Sequence, residues 1–577
     1  MLHGREADPP RVERRAVRPA TQGSGYRNLF GAPAEGEIFS GYGDQTEDLL
    51  VRLARCLERP YPWPGPAKGA RDPFDNPEIP AGYTYLAQLV AHDLTFLSST
   101  LPPLEAEGEA GRNLRSIALD LETVYGGGPV ERPYAFCVEP DGSARRRLRI
   151  GVVNEEDGAT PRRGGRRRVL GRDLPRAASP CTIDARRGTG RGLTEVLVSD
   201  PRNDDHTIVA QTVVLFHMLH NYACGRIEEN PAAIAGEHWD RDIAERYQPN
   251  APERAIFSSA RRVVTLVYRD ILRHDLMKRL LSAPVYERYV GQADPFIETD
   301  DSPGMPVEFS HAAFRAGHAM IQPSYRFRGE VDLGLDDILR LSSEMAFDRL
   351  PPKWSWLIQW SNFYDLGVPP ANLSRRIAPS QNTVLCDSSA IAVNDDRDDP
   401  ERPTGLPRRD LLRGATVGCR TVGSLIRILH DRAPNLARRS PLLSRDDPTA
   451  RREMVASFLD RQAAADARFT VEERDRIAAD PPLVLFCLLE AAIEEDGLRL
   501  GVLGSVIVAE VIFRALQRGE QADDELGPDA GALADWVLGH TSDAEGRAIA
   551  VRLHTMPDLI RFLASAQGLA DHEPSFI

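Results

Sequence analysis

Apolar and polar positions along the chain alternate mostly with the period of a helix. The segment TEDLLVRLARCLERP predicts a helix from Thr46, the expected N-cap, to a stop at Pro60. Leu86 to Phe96, LAQLVAHDLTF, reads as a buried helix that keeps an amide, an imidazole and a carboxylate inside. Gln88 and His92 are four apart and share a face, and Asp93 points elsewhere. Thr207 to Ile227 is a long, nearly all-apolar helical run. Arg254–Leu281 and Pro306–Met320 continue the helical pattern. Further helices are predicted at Asp336–Glu344, Val422–His430, Arg451–Gln462, Thr470–Ala478, Pro482–Glu495 and Leu500–Gln517. Strand-like alternation is confined to pieces such as RRLRIGVV, and no solenoid-type repeat is seen. The expectation is a mainly α-helical protein with long loops.

Composition narrows this only a little. With 577 residues, 42% hydrophobic and 27% charged, the chain is ordinary for a globular protein and long enough for one large enzyme domain. A net charge of -14 speaks against a general nucleic-acid binder, which needs basic surface. Arginine nearly replaces lysine, present only as Lys68, Lys278 and Lys353. Residues 1 to about 35 are rich in Arg, Pro and Gly and read as a disordered tail, leaving 36–577 as the domain. Arginine and glycine also crowd 144–192, read as surface loops. The seven cysteines are scattered and form no CxxC pair, which fits neither a disulfide scaffold nor a zinc site. No apolar signal core opens the chain and no run reaches the ~18 residues of a membrane span, so the cytoplasm is the default expectation.

Three later segments join the His92 stretch. In SDPRNDDHTIVAQ, Arg202 and Asp205 are three apart at the mouth of the long helix. In FSHAAFRAGHAMIQPSYRF, Arg315 and His318 share a helical face beside small Ala316 and Gly317, which permit close approach of a flat ligand. In RRDLLRGATVG, Asp410 and Arg413 are again three apart. Taken singly, each has a bland reading as cap, core or surface residue. In this order and at these intervals they resemble the animal-type haem peroxidases of the peroxidase–cyclooxygenase superfamily. LDLETVYG resembles that family's calcium-loop segment, and GVLGSVIVAEVIF a C-terminal helix of its bacterial members. The likeness runs from about residue 40 to 520.

The resemblance implies a large, single-domain helical fold around haem b, and a peroxidase that reduces hydrogen peroxide through a ferryl intermediate. The electrons come from a small organic donor or a halide. His92 is implied as distal acid–base, Gln88 as its companion, Arg202 as distal arginine and His318 as axial iron ligand. Arg315 and Arg413 match positions that pair with haem propionates, where a guanidinium fork suits a carboxylate. Asp410 stands where the family has an asparagine on the proximal histidine, which implies a lower iron potential. A calcium ion is expected on Asp93, Ser116, Ala118, Asp120 and Glu122, whose alternation in an extended loop aims oxygens at one point. The family has serine where this chain has Glu122.

Two haem–protein ester positions carry Ala91 and the short Asp205, so non-covalent haem or one ester at most is expected. His206 falls where one member has a haem-linked methionine. Two other functions compete. A fatty-acid dioxygenase needs a radical tyrosine three residues before the proximal histidine, where this chain has Arg315. A haem-free scaffold predicts loss of His92, Arg202 or His318, and all three are present.

Overall fold

The computed structural model describes residues 25–96, 113–139, 145–153, 172–178, 193–230, 251–299, 302–343, 345, 349–387, 405–463, 468–525, 530–542, 547–566, 568 and 576. Residues 1–24 and most of the arginine-rich 144–192 stretch lie outside them, as does Glu344.

Helices dominate, as the periodicity predicts. The strands among the described residues form five two-stranded pairs, such as Asp75–Pro80 with Leu373–Arg375. At the centre stand two largely buried helices. The His92 helix, Gly82–Leu94, is buried at every residue. The long helix Thr207–Glu229 is buried through its first fourteen residues, Thr207 to His220. Such helices need few polar side chains, and those they keep must be matched internally. The long helix packs on the His92 helix and on Ala251–Ile271. Gly82 is required where the His92 helix enters: a Cβ there would stand 2.3 Å from the Tyr364 ring and 2.7 Å from the Phe363 carbonyl.

Pro306–Met320 departs from the predicted single helix. It splits into a short α-turn, Val307–Ser310, and a 3₁₀ segment, Ala313–Met320, separated by a non-helical Ala312. Small Ala313, Ala316, Gly317 and Ala319 admit the tighter coil, and three residues per turn align Arg315 with His318. This 3₁₀ segment is packed against the His92 helix, Leu483–Glu494 and Val502–Glu525. The Asp410 helix, Leu406–Thr416, packs on Thr46–Leu57 and on Leu483–Glu494.

The domain also begins earlier than expected. Composition places residues 25–35 in the tail, yet Tyr26, Leu29 and Phe30 are buried and Tyr26–Arg27 pairs with Met305–Pro306. Their amides and carbonyls are held by buried charges: Leu29 N–H donates to Glu308 Oε2 at 2.8 Å, and Arg420 donates to the Leu29 carbonyl at 2.8 Å. Thr46 is the first helical residue, with Gln45 at the cap position. No helix among the described residues is long and apolar enough to cross a membrane.

Candidate active site

His318 sits fully buried in the 3₁₀ segment. Its Nδ1 donates to Asp410 Oδ2 at 2.6 Å, and Arg315 Nη1 donates to Asp410 Oδ1 at 2.9 Å. Arg315 Nε also donates to the Ser310 carbonyl at 3.0 Å, which ends the preceding turn. Burial alone would raise the Asp410 carboxyl, but the His318 imidazole and the Arg315 guanidinium outweigh it and hold its pKa below the ordinary value. His318 is pushed down to about 4, mainly by burial against the pull of Asp410. The pair is a carboxylate gripping a neutral imidazole, with Nε2 turned away from the grip. Arg315 therefore does not match the expected propionate partner: its guanidinium neutralises Asp410, a buried anion that needs one. Arg413 lies one turn along from Asp410, half-buried.

His92, also fully buried, places Nδ1 3.3 Å from Asn203 Oδ1. Asn203 Nδ2 donates to the Thr123 carbonyl at 3.0 Å, which turns its oxygen toward the imidazole. Nδ1 then carries the proton and Nε2 the lone pair. Asp205 Oδ2 lies 3.7 Å from that Nε2, beyond hydrogen-bond length.

Arg202 takes a different post from the expected one. Its Nη2 donates to the His92 carbonyl at 2.8 Å, and its Nε and Nη2 donate to Asp200 at 3.1 and 2.7 Å. Arg115 donates to the same carbonyl at 3.3 Å and to Asp200. The carbonyl is one of the last four of its helix, which have no partner within it. Asp200 is fully buried, and despite that burial its arginine partners hold its pKa far below the usual carboxylate range. Two guanidiniums thus share one anion, both stacked over the Phe96 ring, and fasten the end of the His92 helix. Arg202 is a positioning residue in this geometry.

Gln88 is fixed from behind. His206 caps the long helix, its Nδ1 facing the amides of Ile208 and Val209. Burial pushes its pKa down to about 3, so its other nitrogen, Nε2, bears the proton and donates to Gln88 Oε1 at 2.9 Å. Both nitrogens are used, so His206 is a brace and not a haem-linking residue. The roles of Asn203, Asp200, Arg115 and His206 were not read from sequence. A histidine cap lies outside the Ser/Thr/Asp/Asn signal, and Asn203 lies within DPRNDD with nothing to distinguish it.

The calcium set does not fit. Asp93 accepts the amides of Leu121 and Thr123 at 3.0 and 3.1 Å, capping the short helix Glu122–Tyr125. Burial raises its pKa to about 6. Asp120 pairs with Arg269, which also reaches the Leu119 carbonyl and Asp523. Glu122 is taken by Arg115 and by Ser116, at 3.2 and 3.1 Å. The Ala118 carbonyl faces Gly519. Guanidiniums and amides satisfy the loop's oxygens, and the three carboxylates do not gather on one point.

Residues 161–348, a span holding Arg202, Asp205, Arg315 and His318, match the family model described as animal haem peroxidase. Over that stretch the chain is similar to the animal haem peroxidases. It is 26% identical over 220 residues to a dual oxidase of Drosophila melanogaster, covering 37% of this chain and 12% of that protein. It is 28% identical over 210 residues to a thyroid peroxidase of Homo sapiens, covering 36% of this chain and 19% of that protein. The chain thus spans less than a quarter of the length of these relatives. Among solved structures, the Oryza sativa fatty acid alpha-dioxygenase superposes with a TM-score of 0.52 at 13% identity, over 96% of this chain and 87% of that one. The Arabidopsis thaliana fatty acid alpha-dioxygenase gives 0.52 at 11%, over 98% and 83%. These likenesses show a shared helical fold.

Proposed function

We propose that the protein is a haem-dependent peroxidase, an oxidoreductase that reduces hydrogen peroxide with electrons from a small organic donor or a halide. The observation that carries this reading is the 2.6 Å bond from His318 to Asp410, buried in a segment packed against the His92 helix. A carboxylate on Nδ1 orients an imidazole and raises the basicity of its other nitrogen, as metal-ligating histidines require. The donor set fits haem b, which His318 Nε2 would hold at the iron and Arg413 at a propionate. Haem held there supplies the redox chemistry of O–O cleavage and of electron uptake from the donor.

The chain's own residues handle the proton. His92 Nε2 takes it from one peroxide oxygen and returns it to the other as water leaves. Asp205 stabilises the imidazolium in between. Asn203 holds the tautomer, Gln88 is held by His206, and Arg202 with Arg115 sets the imidazole's position. The fatty-acid dioxygenase alternative requires a tyrosine three residues before His318; Arg315 stands there, committed to Asp410. A scaffold without chemistry leaves His92, His318 and their supports without purpose.

Replacing His92 by alanine is expected to slow peroxide-dependent oxidation of a phenolic donor by about 10²–10⁴-fold. An unchanged rate removes His92 from the chemistry.

A further inference from the structure

Away from this site, three metal-ligating side chains converge where the C-terminal segment meets the core. Asp270 ends the helix Ala251–Ile271, His274 follows in the π-helical turn Leu272–Leu276, and His554 precedes the helix Met556–Ala566. One donor atom from each lies within 4.8 Å of the others. Asp270 Oδ2 is 3.3 Å from His554 Nδ1, and Asp270 Oδ1 is 4.0 Å from His274 Nε2. Ligand atoms sharing an ion at about 2.1 Å sit roughly 3–3.5 Å apart, so small turns of two partly exposed imidazoles close the set. The backbone beneath is already fixed. Asp275 accepts the Met556 amide at 3.0 Å and the Tyr83 hydroxyl at 2.7 Å, which ties the π turn, the C-terminal helix and the His92 helix together. Thr555 and Asp558 cap the C-terminal helix reciprocally at 3.0 and 3.1 Å, holding His554 at its entrance. A π turn within a helix frequently marks a site with a function.

We propose that Asp270, His274 and His554 form a binding site for a zinc-class divalent cation that clamps the C-terminal helix onto the core. Two imidazoles and one carboxylate select zinc, cobalt or nickel over calcium and magnesium, which take oxygen ligands. With three protein ligands at the surface, water completes the coordination.

Calorimetric titration of the full chain with zinc tests this, with hydrogen exchange followed over 556–566. The wild type is expected to bind one equivalent that is lost, or weakened at least tenfold, in His554→Ala and in Asp270→Asn. A His540→Ala variant is expected to bind as the wild type does. Zinc is expected to slow exchange over 556–566 in the wild type and not in His554→Ala. No binding by the wild type, equal binding by His554→Ala and Asp270→Asn, or unchanged exchange overturns the proposal.

Discussion

At the scale of the residue, Asp410 sets two properties together. Its charge balances Arg315 and draws on the His318 proton. Asp410→Asn leaves the guanidinium buried without its anion, a change that typically costs ~3 kcal/mol or more. It also weakens the pull on Nδ1, so the midpoint potential of bound haem is expected to rise. Chemical denaturation checks the first effect and a redox titration the second; a potential that stays or falls contradicts the account of Asp410. The pairing of these two residues was half legible. The resemblance implies Asp410 on His318, but it says nothing of Arg315 on the other oxygen, because a resemblance transfers positions and leaves charge balance unspecified. Arg202 shows the same limit. Its place at the mouth of the long helix is visible in DPRNDD, whereas its commitment to Asp200 and the His92 carbonyl depends on Arg115, far away in sequence.

At the scale of the element, buried helices were the most legible parts. An apolar run such as TIVAQTVVLFHML admits little besides an internal helix, and it appears as Thr207–Glu229. Where small residues cluster, as in AFRAGHAM, periodicity could not tell α from 3₁₀, because both align positions three apart. The calcium loop failed for a related reason. Alternation in IALDLE reads as extended, but Leu119 and Leu121 both adopt left-handed backbone, φ 50° and 53°, which breaks the alternation. The entry to the His92 helix makes a sharper prediction. Gly82→Ala puts a Cβ into the Tyr364 ring and the Phe363 carbonyl, and is expected to destabilise the fold by about 1–3 kcal/mol in urea unfolding. Stability equal to the wild type would show that Tyr364 yields freely.

At the scale of the whole molecule, burial of neutral histidines sets the acid limit. Burial pushes His206 and His220 down to about 3 and His217 to about 4. Each folded-state value lies below the ~6.5 of an unfolded histidine, so the folded form binds fewer protons. Their contribution is fully present above pH ~6.5 and is lost as pH falls toward 4, on the order of several kcal/mol over the three. Melting temperature against pH is expected to fall steeply in that window, and less so in a His217→Gln variant, whose amide keeps the bond to the Arg149 carbonyl. A flat profile from pH 7 to 4 contradicts it. The helical character was legible from periodicity, but the N-terminal edge was not. Tyr26, Leu29 and Phe30 are too few to stand out in an Arg/Pro/Gly background, and they are held by Glu298, Glu308 and Arg420 from distant segments.

The central claim is that His318, gripped by Asp410, ligates haem opposite His92. The most direct measurement is the absorption spectrum of the haem-supplemented chain before and after peroxide, for the wild type and His318→Ala. The account predicts a Soret band that shifts on adding peroxide in the wild type and is lost or displaced in the variant. No Soret band in the wild type, or a band unaffected by His318→Ala, contradicts it.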